Sequence, residues 1–222
     1  MEDFTKEAPE SNFPAKGEHI PLIISETGKR RVHIGVGWDV REEEERKRKL
    51  LGGGDPLENT YVQINVEQYD MDLVALIFDA EGNAVDAVSP DLDEVMDQSG
   101  HIYHSGDNDT GRGDYDDEVI SVELTDMPDH IHHIVFLITA QSGHTFERIL
   151  DAEARVADGK TNEDRLKIKL GEKGKAGADK TACIFARIYR EGDGWFLHHI
   201  QEYRVDANIE DWIAEITPYL SK

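Results

Sequence analysis

The 222-residue sequence predicts a mainly β protein: a β-sandwich of two antiparallel-rich sheets with a few short helices and a C-terminal helix. Three observations carry that reading. Apolar and polar residues alternate with a period of two in several short segments, which is the pattern of strands with one wet face. Two other short runs are apolar throughout and rich in β-branched residues, as central strands are. Turn-forming glycines separate these segments at roughly ten-residue spacing, which suits a sandwich. The 38% apolar content is enough for the core of one large domain.

Residues 1–18 carry Glu, Asp, Lys and two prolines without an apolar run, so they read as a disordered N-terminal tail and neither a signal peptide nor an anchor. The folded domain is expected over residues 19–222. Val32, Ile34 and Val36 alternate with His33 and Gly35, and Val62, Ile64 and Val66 alternate with Gln63 and Asn65. Between them, Arg41 to Lys49 looks different. Glu42, Glu43, Glu44 and Glu45 each precede Arg46, Lys47, Arg48 or Lys49 by four positions, with no apolar stripe before Leu50. That spacing predicts a solvated, ion-paired helix within a charged insertion over 41–58, ended by Gly52-Gly53-Gly54-Asp55-Pro56.

Leu73 to Phe78 and Ile134 to Ile138 are the doubly apolar runs. Ile120, Val122 and Leu124 form a further alternating strand, as do Leu166, Ile168 and Leu170. Gly171 to Asp179 reads as a long surface loop. Thr181 to Tyr189 and Trp195 to Val205 read as a hairpin closed by Glu191-Gly192-Asp193-Gly194. At the C-terminus Ile209, Trp212, Ile213, Ile216 and Leu220 share one helical face, with Asn208 as N-cap and Glu210 and Asp211 in the first turn.

Charge narrows the partners. Lys plus Arg number 24 and Asp plus Glu 47, a formal net charge of −23. Such a chain repels phosphate backbones and anionic bilayers, so nucleic acid is excluded as a partner. No segment has the ~18 uncharged apolar residues of a membrane span, and direct membrane insertion is not expected. The single cysteine, Cys183, excludes an internal disulfide and a Cys-rich zinc site. A cytoplasmic protein fits these features, reaching the membrane periphery only through partners.

What an acidic chain attracts is hard cations, and one loop concentrates the donors for them. Gly106-Asp107-Asn108-Asp109-Thr110-Gly111-Arg112-Gly113-Asp114-Tyr115-Asp116-Asp117-Glu118 holds six carboxylates, the Asn108 amide and the Thr110 hydroxyl. Two carboxylates ~4 Å apart repel by roughly 1 kcal/mol in water and about 4 kcal/mol at an effective dielectric near 20. Gly106, Gly111 and Gly113 permit left-handed turns that fold the donors inward. Ca²⁺ accepts ~6–8 oxygens at loose geometry, whereas Mg²⁺ demands a tight octahedron, so the loop favours calcium. It is not an EF-hand: Arg112 stands where the sixth-position glycine belongs, and the downstream flank alternates as a strand. Asp70 and Asp72, at the head of an apolar strand, and Asp39, after Trp38, are candidates to complete the shell.

Gly35-Val36-Gly37-Trp38-Asp39, then Asp70-Met71-Asp72-Leu73, then His104-Ser105-Gly106-Asp107-Asn108 continuing to Asp116-Asp117-Glu118, resembles the TerD family of tellurium-resistance and stress proteins. The closing segment Thr181 to Tyr189 with Trp195 is similar too, so the likeness spans about residues 20–205 in consistent order. It implies a TerD-like β-sandwich that binds Ca²⁺ through acidic loops and acts in stress-response assemblies with other proteins rather than as a catalyst. The sequence departs from the family in its charged insertion and in Tyr115, where glycine is common.

The resulting expectation is a non-catalytic Ca²⁺-binding scaffold or sensor. Its candidate metal residues are Asp107, Asn108, Asp109, Thr110, Asp114, Asp116, Asp117, Glu118, Asp70, Asp72 and Asp39. A metal-dependent hydrolase using the same ion is the alternative; it requires a water-bearing coordination position beside a cleft and a general base. A metal-free acidic adaptor is a third reading. His130, His132, His133, His198 and His199 do not make a zinc site by local spacing, because neighbouring strand positions face opposite ways. Cys183 reads as a buried inert thiol. Neither a Gly-x-Ser-x-Gly elbow nor a phosphate-binding Gly-Lys-Ser or Gly-Lys-Thr loop is present, and Gly35-x-Gly37 lacks the third glycine of a dinucleotide fingerprint.

Overall fold

The computed structural model describes residues 13–26, 28–39, 41–45, 63–67, 69–90, 93–111, 116–205 and 209–221. Their strands are β1 (His19–Pro21), β2 (Arg31–Asp39), β3 (Arg41–Glu45), β4 (Gln63–Glu67), β5 (Met71–Phe78), β6 (Ala84–Val88) and β7 (Ile102–His104), followed by β8 (Glu118–Glu123), β9 (His133–Ala140), β10 (Leu150–Asp158), β11 (Asp164–Lys169), β12 (Ala182–Glu191) and β13 (Gly194–Arg204). One helix, α1 (Ile209–Ile216), runs into a 3₁₀ turn, Thr217–Tyr219. A six-stranded sheet has the order β1-β13-β12-β9-β5-β6 and a five-stranded sheet the order β11-β10-β2-β8-β7, with the pairings antiparallel.

The period-two residues meet between the two sheets. Val32, Ile34, Val36 and Trp38 from β2 and Ile120 and Val122 from β8 face Leu73, Ile77, Phe136 and Ile138 from the opposite sheet. Strands β5 and β9 are apolar on both faces because a second core lies outside the six-stranded sheet. There Leu76, Phe78, Val135, Leu137, Ile184 and Ile200 are covered by Trp212, Ile216 and Leu220 of the C-terminal helix and turn. The apolar helical stripe is thus accounted for by docking on a sheet face.

The late hairpin pairs Glu191 with Gly194, leaving a two-residue turn in which Gly192 takes φ +58°. The Gly-rich stretch 171–179 forms no strand, but it is not simply a surface loop, since Gly171 and Gly177 lie buried against Phe146 and Tyr203.

Two expectations are corrected. Arg41–Glu45 is not helical but a strand, paired with β4 from Arg41↔Glu67 to Glu45↔Gln63. Helical Glu–basic pairs supply only ~0.2–0.5 kcal/mol each, and without an apolar face there is nothing to dock such a helix. A ladder beside the β-branched alternation of Ile64 and Val66 offers backbone pairing instead. Residues 46–58 of the expected insertion lie outside the described residues. Residues 13–18, expected to be disordered, are held against the domain: Phe13 packs on the core, Gly17 N donates to His199 O at 2.7 Å, and His199 Nδ1 meets Pro14 O at 2.8 Å. Residues 1–12 lie outside the described residues.

Candidate metal centre

One end of the sandwich gathers the end of β2, the head of β5, the end of β7 and the head of β8, with the acidic loop strung between the last two. Glu118 is the tie. It projects from the five-stranded sheet into the interior with no exposure. Its Oε2 accepts the Leu73 N–H of the other sheet at 2.8 Å and approaches His104 Nε2 at 3.2 Å, while Oε1 accepts the Asn108 N–H at 3.1 Å. His104 Nδ1 accepts the Gly106 N–H at 3.0 Å, which puts the ring proton on Nε2, pointing at Glu118. Leu73 follows Asp72 and Asn108 follows Asp107, so this one buried carboxylate sets the separation of two others.

Asp70, Asp72 and Asp107 converge, each offering an oxygen within 4.8 Å of the others. The site is electrostatically unfinished. Asp70 Oδ1 is buried without a hydrogen-bond partner among the described residues. Burial, reinforced by Asp107, Glu118 and Asp109, raises the Asp70 carboxyl above its usual range. Asp72 is pushed up to about 7 by burial and by the charges of Glu118, Asp70 and Asp107, against a lowering hydrogen bond from Gln141 Nε2 at 2.6 Å. Carboxyls raised by burial and by one another are a pattern that a bound cation reverses. The donors are all hard oxygens, which suits Ca²⁺ or Mg²⁺ and not zinc.

The other sequence candidates are placed differently. Asn108 is a staple: its Oδ1 accepts from Thr110 N (3.1 Å), Thr110 Oγ1 (2.9 Å) and Gly111 N (3.1 Å), and its Nδ2 donates to Asp117 Oδ1 at 3.1 Å. Thr110 is therefore engaged with Asn108. Asp117 splints the loop to β2 by accepting the Trp38 N–H at 2.8 Å, and burial raises its carboxyl in spite of that bond. Asp109 is exposed beside the trio and acts on Asp70 through its charge.

Asp116 and Asp39 are not brought to the trio. Asp116 is clamped by Arg155, with Nε at 2.8 Å and Nη2 at 2.7 Å, and lines an open groove on the outer face of the five-stranded sheet with Asp39, Gly37 and Glu153. A forked guanidinium thus holds the Asp116 carboxylate apart from the trio, although the sequence offered it as a ligand. Asp114 lies outside the described residues.

The glycines have two distinct uses. Gly111 adopts φ +58°, and a Cβ there would strike the Trp38 indole, whose Nε1 donates to Tyr69 O at 2.8 Å. The loop can lie flat on Trp38 only without a side chain at 111. A Cβ on Gly35 would run into the Asp116 carboxylate. The positioning roles of His104 and Arg155 were not legible in the sequence, since their partners lie 14 and 39 residues away.

Comparison with known proteins agrees with this architecture. A profile of the TerD domain matches residues 15–208. The tellurium resistance protein TerX of Serratia marcescens is 31% identical over 223 residues, covering 93% of this chain and 98% of its own. The stress response protein SCP2 of Bacillus subtilis is 31% identical, covering 90% and 96%. The crystal structure of a TerD homologue from Streptomyces coelicolor superposes with a TM-score of 0.61 at 20% identity, covering 86% of this chain and 98% of that one. With the profile running over most of the chain and relatives above 30% identity along nearly their full length, the protein belongs to the TerD family of tellurium-resistance and stress proteins.

Proposed function

We propose that this protein is a non-catalytic Ca²⁺-binding scaffold or sensor of the stress-response class, holding the ion with Asp70, Asp72 and Asp107. The observation that carries the reading is Asp70 Oδ1, a buried carboxylate oxygen without a partner among the described residues, inside a cluster of three carboxylates. A buried acceptor left unmade costs about 1–3 kcal/mol, more when charged, and a divalent cation removes that cost for all three groups together. Glu118 and Asp117 keep the two supporting segments in register, so the ligands are held before the ion arrives. The ion would supply positive charge that joins the head of β5 to the acidic loop, making the stability of that end of the sandwich dependent on calcium. Relatives named for tellurium resistance and stress response support that class, and on this reading its partners are other proteins of a stress-response assembly in the cytoplasm. Among the described residues no helix is long and apolar enough to cross a membrane.

Competition calorimetry tests the reading. Chelator-treated protein is titrated with Ca²⁺ in the presence and absence of excess Mg²⁺. A Ca²⁺ heat that survives excess Mg²⁺ supports it, because a flexible carboxylate cluster tolerates calcium's looser shell. Equal affinity for both ions, or no heat with either, overturns it.

A further inference from the structure

On the opposite sheet, away from the acidic end, the outer face of the six-stranded sheet holds a cluster of buried, unpaired nitrogen donors. Arg187 lies in the middle of β12, in register with Val135 on one side and His198 on the other, and is wholly buried. Among the described residues Nε, Nη1 and Nη2 of its guanidinium all lack a partner at hydrogen-bond geometry; the polar group that acts on it is Tyr189, which favours its charged form against burial. His133 Nδ1 and His198 Nδ1 are likewise buried and unpartnered. These five atoms belong to three residues centred on Arg187, which pairs in register with His198, lies one strand from His133, and disfavours the charged form of both imidazoles.

Tyr189 lies beneath the guanidinium with its ring centroid at 4.1 Å, and His19 stacks on His198 at 3.8 Å. A tyrosine favours a cation but brings no negative charge and too few acceptors for the five N–H groups of a guanidinium. Among the described residues no carboxylate pairs with Arg187, in a chain with 47 acidic residues to choose from. A buried guanidinium without a counter-ion is unfavourable unless an anion completes it, and its planar fork matches the oxygen edge of a tetrahedral oxyanion.

We propose that Arg187, with His133 and His198, forms a binding site for a small tetrahedral oxyanion of the phosphate or sulfate class. The fork of Arg187 takes two anion oxygens, and the imidazole Nδ1–H groups donate to the others. The Tyr219 ring, in the 3₁₀ turn after α1, stands 6.5 Å from the His198 ring at the edge of the cluster. This proposal is independent of the calcium site.

The test is thermal unfolding of the full chain in calcium-free buffer with inorganic phosphate, inorganic sulfate or phenyl phosphate, each against chloride at matched ionic strength. Phosphate and sulfate are expected to raise the melting temperature saturably, by about 5 °C or more at a hundred times the dissociation constant. A response to phenyl phosphate but not to the free ions would assign the same site to a phosphate ester. Arg187→Met should abolish the response while leaving the anion-free protein at least as stable as the parent, and Arg187→Lys should weaken binding by tenfold or more. Independently of any variant, phosphate should shift the imidazole NMR signals of His133 and His198. No oxyanion effect beyond chloride overturns the proposal, as does an undiminished effect in Arg187→Met, or anion binding that leaves both imidazole signals unmoved.

Discussion

Replacing Glu118 by Ala should damage the fold and the metal site together, and the structure sets the size of the damage. The substitution leaves the Leu73 N–H and the His104 Nε2–H without their acceptor inside the sandwich. Each buried donor left unpaired costs about 1–3 kcal/mol. The Asn108 N–H also loses its acceptor, but it is only part-buried, and water can reach it. Relief from burying a carboxylate offsets some of this, for a net loss of about 3 kcal/mol, or roughly 6–12 °C in melting temperature for a chain of this size. Glu118→Gln should lose less, because one oxygen still accepts, although its amide N–H₂ then confronts a donor. Urea unfolding in chelator, followed by circular dichroism, measures both. Ca²⁺ affinity of Glu118→Ala should fall as well, since the Asp72 and Asp107 segments are no longer tied. A stability loss below about 1 kcal/mol would refute the keystone role of this residue.

Three further outcomes follow from the same geometry. Gly111→Ala places a side chain against Trp38 at a positive φ, so the loop must lift; Ca²⁺ affinity by calorimetry should drop at least tenfold while the far-ultraviolet spectrum stays that of the parent. Asp116→Ala removes the Arg155 clamp from the outer face and should leave Ca²⁺ affinity within about twofold, whereas Asp107→Ala should abolish binding. Burial holds His133 down to about 4 and His198 to about 3, with Arg187 adding to both and His19 to His198, so the unfolded chain binds these protons first as pH falls below 6.5. Their contribution to stability is complete above pH 6.5 and is lost as pH falls toward about 4 and 3; a His133→Asn, His198→Asn variant should show a flatter stability curve than the parent over that window.

Much of this architecture is legible in residue pattern, because burial of one sheet face writes a period of two directly into the chain. Val32 to Val36, Ile120 to Leu124 and Leu166 to Leu170 show it, and the doubly apolar β5 and β9 announce a second core above the sheet. Strand β10 escaped notice because its inward positions are Ala152, Ala154 and Val156, with charged residues between them, and small side chains give a weak signal. Arg41–Glu45 misled because helix spacing of charges is a local property, while strand pairing with Gln63–Glu67 is decided by a partner some twenty residues on.

The acidic loop was legible as a collection of donors but not as a division of labour. Counting oxygens cannot tell Asp107, turned toward Asp70 and Asp72, from Asp116, claimed by Arg155, or from Asn108, consumed in capping its own turn. Those assignments depend on contacts across the two sheets. Arg187 gave no sequence signal at all, since a single arginine in an apolar strand is unremarkable until its surroundings are known.

Calorimetric titration of chelator-stripped protein with Ca²⁺, parent against Asp70→Asn, Asp72→Asn and Asp107→Asn combined, tests the central claim most directly. The parent should bind with a measurable heat and gain ~2.7 kcal/mol of stability at free Ca²⁺ a hundred times the dissociation constant. The triple variant, relieved of three mutually repelling carboxylates, should be at least as stable as the metal-free parent and should show neither the heat nor the gain. Undiminished Ca²⁺ binding by the triple variant, or none by the parent, would contradict the account.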